Sequence, residues 1–401
     1  MLSNRDENTD MDLRPQSGKK WLSRFQKLVL PGLILQSVVV GGGYATGREV
    51  VQYGARYGAA GWITVVVAVV GFSLVSALVF EVARVFQSYD YKTWIQQIIG
   101  KFWPIFEGLF LVMVIIGIAV VVSAGGNILE QTLGFPYLPA VLGITAAVAV
   151  IICHGSHTVE RFKTIGSVFL YSSYAIFSWV VLSQKWDQVA AVFASHDGSY
   201  VPGAGSWAAF SSGVLYVGYN LAVFPTVLFC LHRQDSRKET MAAGLVAGLL
   251  MTVPFGLTYL SLMAFYPAEE VIGAPVPWLP MLQSLGSPFV VLLYGAAVGW
   301  TLVETAVGVI HAIVDRIERH LSPDRGTRLQ RRSGLSQKHR ALLAIAILAA
   351  AAALSRFGII ALVARGYSLM AYGFIVVFAI PLLTVGVYRI VRATKKIKVQ
   401  P

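Results

Sequence analysis

Apolar residues fill most of this chain in long runs, separated by short polar or charged segments. A helix crosses about 30 Å of hydrocarbon with about 20 apolar residues. Ten runs reach that length, near residues 28–52, 60–83, 105–129, 137–153, 165–183, 206–230, 241–264, 288–314, 341–361 and 369–390. Several are longer than a crossing needs, which predicts tilt or internal breaks. Residues 1–27 are polar and of mixed charge and read as a disordered tail, without the pattern of a cleaved signal peptide.

Charge placement checks the ten runs independently. With the N-terminus in the cytoplasm, the tails and every second connection carry 27 of the 32 Lys and Arg residues, and the remaining connections carry 5. The positive-inside rule predicts such a bias, and one missed span would spoil it. The expected topology is ten helices with both ends in the cytoplasm of a cell-membrane protein. Composition agrees: of 401 residues, 56% are hydrophobic and 13% charged, about half the charge of a soluble protein. The net charge of +12 is then topogenic, and no nucleic-acid partner is needed. The basic connection 316–340 reads as lipid-facing, with a regulatory role as the alternative. Two cysteines, Cys153 and Cys230, build no disulfide framework.

Two runs should not stay helical throughout. The first contains Gly41, Gly42, Gly43, Tyr44, Ala45, Thr46 and Gly47, followed by Arg48 and Glu49. Each glycine costs a helix roughly 1 kcal/mol against alanine. The sixth contains Gly213, Tyr216, Gly218, Tyr219 and Asn220, then Pro225, which removes a backbone donor. In hydrocarbon, irregular backbone persists only where it lines a cavity or is buried in protein. Runs one and six are corresponding members of two five-helix halves. An odd number of helices per half inverts the second, and matched interruptions in an inverted repeat point to a transporter binding site.

The stretch GGGYATGREVVQYGARYG, residues 41–58, resembles the first-helix motif of the YkvI-like bacterial membrane proteins. These are grouped with amino-acid permeases, near the amino acid–polyamine–organocation superfamily. LYVGYNLAVFPTVL, residues 215–228, resembles their sixth-helix motif. The resemblance runs from about residue 28 to 390. It implies an all-α membrane fold like that of the leucine transporter, a 5+5 inverted repeat with helices one and six unwound around the substrate. Residue by residue it implies that Gly41, Gly42, Gly43, Thr46, Gly47 and Glu49 belong to the first unwound segment. Tyr216, Tyr219 and Asn220 would belong to the sixth. Two departures stand out. The chain has ten spans where many relatives of that fold have twelve, and the fifth span lacks an internal lysine, Lys163 lying just before it.

Ionisable residues inside spans are costly, by about 3 kcal/mol at the bilayer centre, and usually face a cavity. Glu304 sits near the middle of span eight, and Thr301, Thr305 and Gly308 share its helical face. Glu304 is a candidate carrier of a coupling proton or a structural acid bonded to a neighbouring helix. The resemblance implies that hydroxyls of span eight, here Thr301 and Thr305, would bind Na⁺ with first-helix carbonyls. Glu49 would gate, bind a substrate ammonium, hold Arg56, or form a structural salt bridge. Ser123, Asn127 and Glu130 read as a packing or interfacial face, with the lining of an outer vestibule as the alternative; Glu81 and Arg84 read as an ordinary helix pair, and Gly244–Gly248 and Gly295–Gly299 as tight packing. No phosphate-cradling or metal-protease motif occurs, and no enzymatic constellation is read.

The expected organisation is a tail (1–27), a first repeat (28–183), an outer connection (184–205), a second repeat (206–390) and a second tail (391–401). The expected function is secondary transport of an amino acid or similar zwitterion, coupled to Na⁺ or H⁺, with no other cofactor. Its partners are the solute and the bilayer; oligomeric state is left open. The alternative is a membrane-embedded sensor that binds the solute without carrying it.

Overall fold

The computed structural model describes residues 16–154, 157–286, 288–321 and 337–399, and every regular element among them is helical. Residues 1–15 and most of the basic connection 316–340 lie outside the described residues. The second half of the expected tail is not irregular: Gln16–Leu28 forms α1. Its aromatic residues are spaced one turn apart, so Trp21 stacks on Phe25 with ring centroids 5.5 Å apart. Lys27 anchors its end, 2.5 Å from Asp235 and 3.1 Å from Glu239.

The first apolar run is broken into three pieces: α2 (Leu30–Val39), α3 (Gly42–Ala45) and α4 (Arg48–Tyr53). Pro31 stands in the first turn of α2, where its missing N–H costs nothing. Next come α5 (Trp62–Val85), α6 (Tyr91–Ile99), α7 (Trp103–Leu133), α8 (Tyr137–His154) and α9 (His157–Ala194), the last kinked at Lys185. The sixth run starts as α10 (Ser206–Asn220) and continues as a 3-10 helix over Leu221–Arg233. A capping box between Ser236 and Glu239 opens α11 (Arg237–Met263). Short helices α12 (Glu269–Ile272) and α13 (Trp278–Gln283) lead to α14 (Pro288–Leu321) and α15 (Gln337–Ser355). The ninth run ends in α16 (Gly358–Ala361), and a π-helical turn over Leu362–Tyr367 leads to the last run, where α17 (Ser368–Phe374) and α18 (Val387–Val399) are joined by further π-helical turns.

Helix therefore lies at each of the ten apolar runs, and among the described residues six helices are long and apolar enough to cross a membrane by length and composition. Their outer faces stay apolar: Val66, Val70 and Leu74 run along the exposed side of α5, as Tyr372, Val376 and Ile380 do along the last run. Exposed apolar surface on this scale needs lipid or a partner to cover it. The chain is a multi-pass helical membrane protein.

Small residues set the closest helix contact. A Cβ on Gly244 would sit 2.6 Å from the Ala77 backbone, and one on Gly248 would sit 2.6 Å from the Ser73 nitrogen, so α11 and α5 touch backbone to backbone. Gly295 and Gly299 make no such contact: nothing lies within 4 Å of a Cβ on Gly299, and the nearest atom to one on Gly295 is 3.5 Å away. Gly295 meets Thr132 and Ile128 of α7 at ordinary van der Waals distance, and Gly299 faces open space. Glu81 and Arg84 do pair, at 2.7 Å, and Thr240 donates to Glu81 at 2.7 Å. With Lys27, Asp235 and Glu239 they gather the ends of α1, α5 and α11 at one charged face, here called the basic face.

Candidate functional site

The break in the first run is built by glycine and held by hydrogen bonds from outside the run. Gly47 has φ 83°, and a Cβ there would lie 3.0 Å from Cδ1 of Trp278. Left-handed backbone and a close aromatic neighbour both demand glycine. Breaking a helix frees carbonyls that must find other donors. The Ala45 carbonyl takes two, from the hydroxyls of Tyr174 on α9 at 2.5 Å and Tyr294 on α14 at 3.0 Å. The Trp278 N–H donates to the Thr46 carbonyl at 3.4 Å, and the Thr46 hydroxyl accepts from the Arg48 N–H at 3.1 Å.

Arg48 and Glu49 then turn different ways. The buried Arg48 guanidinium donates to the carbonyls of Ile272 and Ala274, at 2.8 and 3.1 Å, tying α4 to the connection at α12. Glu49 is only 4% exposed and accepts a hydrogen bond from the Tyr219 hydroxyl. Neither expected ion pair forms. Arg48 is drawn to carbonyl oxygens left at the end of α12, and Arg56 lies over the Tyr57 ring, 5.6 Å from its centroid. The aromatic residues Tyr53, Tyr216, Tyr219 and Tyr367 pack around this carboxyl region, with the Tyr219 and Tyr367 centroids 4.7 Å apart.

A cavity of about 550 Å³ opens beside the break, within the range of small-ligand sites. It brings together Gly41 and Glu49 from the first run, Tyr219 and Asn220 from the sixth, and Thr301, Glu304 and Thr305 from α14. Gly308 lines it too, so the polar stripe read from spacing faces one space. A Cβ on Gly41 would lie 3.5 Å from Cγ2 and 3.7 Å from Oγ1 of Thr305. The Thr301 hydroxyl donates to Ala297 in its own helix at 3.0 Å. From Glu49 the cavity runs along Ile34 and Val38 of α2, Phe110 and Met113 of α7, and Val223 and Phe229 of the 3-10 helix. Ser37, Val38, Thr226 and Phe229 among the lining residues are exposed. On the other side of the break stand the buried rings of Tyr174, Phe177, Trp278 and Tyr294, packed edge to face or tilted.

Thr46, Gly47 and Tyr216 are not among the described residues that line the cavity. Thr46 is buried and caps Arg48, and Gly47 abuts Trp278; the backbone of Gly42 and Gly43 forms part of α3. Tyr216 is fully buried against Phe72 and Phe255, its ring 4.6 Å from that of Phe255. The sixth run does not unwind as expected: α10 stays helical through Asn220, whose side chain donates to the Tyr216 carbonyl, and the winding then tightens. The tighter 3-10 winding replaces an open break around Pro225, and a long 3-10 stretch within a helix commonly marks a hinge. Ser123 and Asn127 bond within the α7–α8 packing face, Ser123 to the Tyr137 hydroxyl at 2.8 Å. Tyr367, Tyr174 and Tyr294 were not expected.

No family model matches the chain. It is 24% identical over 227 residues to the uncharacterized membrane protein YkvI of Bacillus subtilis, covering 56% of this chain and 63% of that one. The match thus spans less than two thirds of that relative. Among solved structures the chain is similar to a Na⁺-coupled sialic acid symporter in a substrate-bound outward-open state. That likeness has a TM-score of 0.48 and 12% identity, covering 89% of this chain and 86% of that one. It is also similar to a mutant of the Eremococcus coleocola manganese transporter, with a TM-score of 0.46 and 13% identity over 92% and 87%. None of these likenesses assigns the chain to a family.

Proposed function

We propose that this protein is a secondary transporter that carries an amino acid or similar small zwitterionic solute across the cell membrane by alternating access. The observation that supports the reading most is the cavity at the broken first run. It brings together Glu49, Tyr219, Asn220, Thr301, Glu304 and Thr305, and buried aromatic rings stand on the other side of the break. A polar site beside interrupted backbone inside a helical bundle is what solute carriers use. In this reading ten helices form two inverted halves of five, both chain ends face the cytoplasm, and the cavity is the inward-facing site. The sixth run's change of winding at Leu221 supplies the hinge opposite the first-run break.

Coupling is assigned to α14. Thr305 offers a hydroxyl oxygen beside Gly41, Thr301 offers another in the same cavity, and Glu304 between them in sequence offers a carboxyl that can carry a proton. The test is uptake into proteoliposomes under imposed Na⁺ or H⁺ gradients. Glu304→Gln is expected to express normally and to lose gradient-driven accumulation. Normal accumulation by that variant would remove Glu304 from the coupling role. Saturable binding with no flux under any gradient would overturn transport in favour of a sensor.

A further inference from the structure

The chemistry of the cavity selects between the two ends of an amino acid. Its lining contains two carboxyl side chains, Glu49 and Glu304, and no Lys, Arg or His among the described residues. The one arginine beside it in sequence, Arg48, is turned to the carbonyls of Ile272 and Ala274. Glu49 is 4% exposed, and its one hydrogen bond among the described residues comes from a neutral hydroxyl, that of Tyr219. A carboxylate out of water without a cation is costly, so such a site favours a ligand that brings the positive charge. Tyr219 and Tyr367 line the same end, with the Tyr219 ring packed between those of Tyr53 and Tyr367, which holds its hydroxyl on Glu49. A ligand carboxylate finds no complementary charged side chain there. Away from this end the walls are aliphatic and aromatic, from Ile34, Val38, Phe110, Met113, Val223 and Phe229.

We infer that the cavity recognises an apolar primary amine as its ammonium cation, with the ammonium on Glu49 and Tyr219 and the hydrocarbon along the apolar walls, and that a ligand carboxylate is dispensable. This rests on the cavity being the solute site and is independent of whether the solute is carried. It narrows the amino-acid reading to ligands defined by their ammonium and hydrocarbon parts.

The experiment compares probes that share a skeleton. Purified full-length protein is unfolded thermally at pH 7 with isoamylamine, leucine, isoamyl alcohol, phenethylamine or phenylalanine across a concentration series. Both amines are expected to raise Tm, and to bind at least tenfold more tightly than the amino acid of the same skeleton. The neutral alcohol should produce no shift. Glu49→Gln is expected to lose the amine response. If that variant does not fold, the amine, amino-acid and alcohol comparison in the native protein still decides. Leucine or phenylalanine binding as tightly as its amine, the alcohol matching isoamylamine, or an undiminished amine shift in folded Glu49→Gln would overturn the inference. So would no shift with any amine. Amine binding without flux would instead sink only the transport reading, and carboxylate-dependent uptake would sink only this one.

Discussion

Gly47 tolerates no side chain, for two separable reasons: its backbone is left-handed and Trp278 fills the space a Cβ would take. Gly47→Ala is expected to cost on the order of 1–2 kcal/mol from backbone strain alone. Gly299→Ala, at an open helical position, should leave the melting temperature unchanged or slightly raised. Thermal unfolding of the two variants in detergent checks this, and equal effects would show that the break does not depend on Gly47. The residue scale is also where the sequence was most and least informative. Glycines and an intramembrane glutamate carry an energetic cost that marks them, so Gly41, Gly47, Glu49 and Glu304 could be singled out. Tyr174, Tyr294 and Tyr367 could not, because a tyrosine within an apolar helix carries no comparable cost. Their roles depend on which backbone atoms and rings the fold brings within reach.

At the scale of elements, the broken first run is held to α9 and α14 through one atom, the Ala45 carbonyl. Removing either tyrosine hydroxyl leaves the other donor in place, so Tyr174→Phe and Tyr294→Phe should each cost under about 1 kcal/mol. Together they orphan a buried carbonyl, and the double variant should lose about 1–3 kcal/mol, more than the sum. A double-mutant cycle on thermal stability measures this, and strict additivity would separate the two contacts. A second fastening lies at the basic face, where hydrogen bonds to Asp235 and then Glu239 hold the Lys27 ammonium above the ordinary lysine range. A pKa raised in the folded state adds stability that is fully present below the unfolded value and is lost as pH rises through the folded one. The lysine side of the tie between α1 and α11 should therefore hold across neutral pH and weaken in strong alkali. Lys27→Met should abolish that alkaline step in a pH series of melting curves. The sequence located the sixth run's irregularity but not its form. Gly218 and Pro225 say where α-helical bonding fails, and only tertiary packing decides whether the chain opens or tightens into a 3-10 helix.

For the whole molecule, the ten apolar runs were legible because hydrocarbon demands length and charge bias marks the connections. The direction in which the cavity opens was not, because it depends on how the helices lean against each other. In the inward-facing reading the arrangement is one-sided: the cavity beside Glu49 opens to the cytoplasm, and Trp278 with its neighbouring rings stands on the other side of the break. In a background lacking Cys153 and Cys230, Ser37→Cys should react with a membrane-impermeant maleimide in inside-out vesicles and not in intact cells. The reverse pattern would turn the molecule over in the membrane.

The central claim, that the cavity at the first-run break carries its ligand across, is tested most directly by exchange of radiolabelled isoamylamine and leucine into preloaded proteoliposomes. Saturable entry of label above protein-free liposomes, lost in Glu49→Gln, is the expected result. Saturable binding of label to the protein with none reaching the lumen would contradict it.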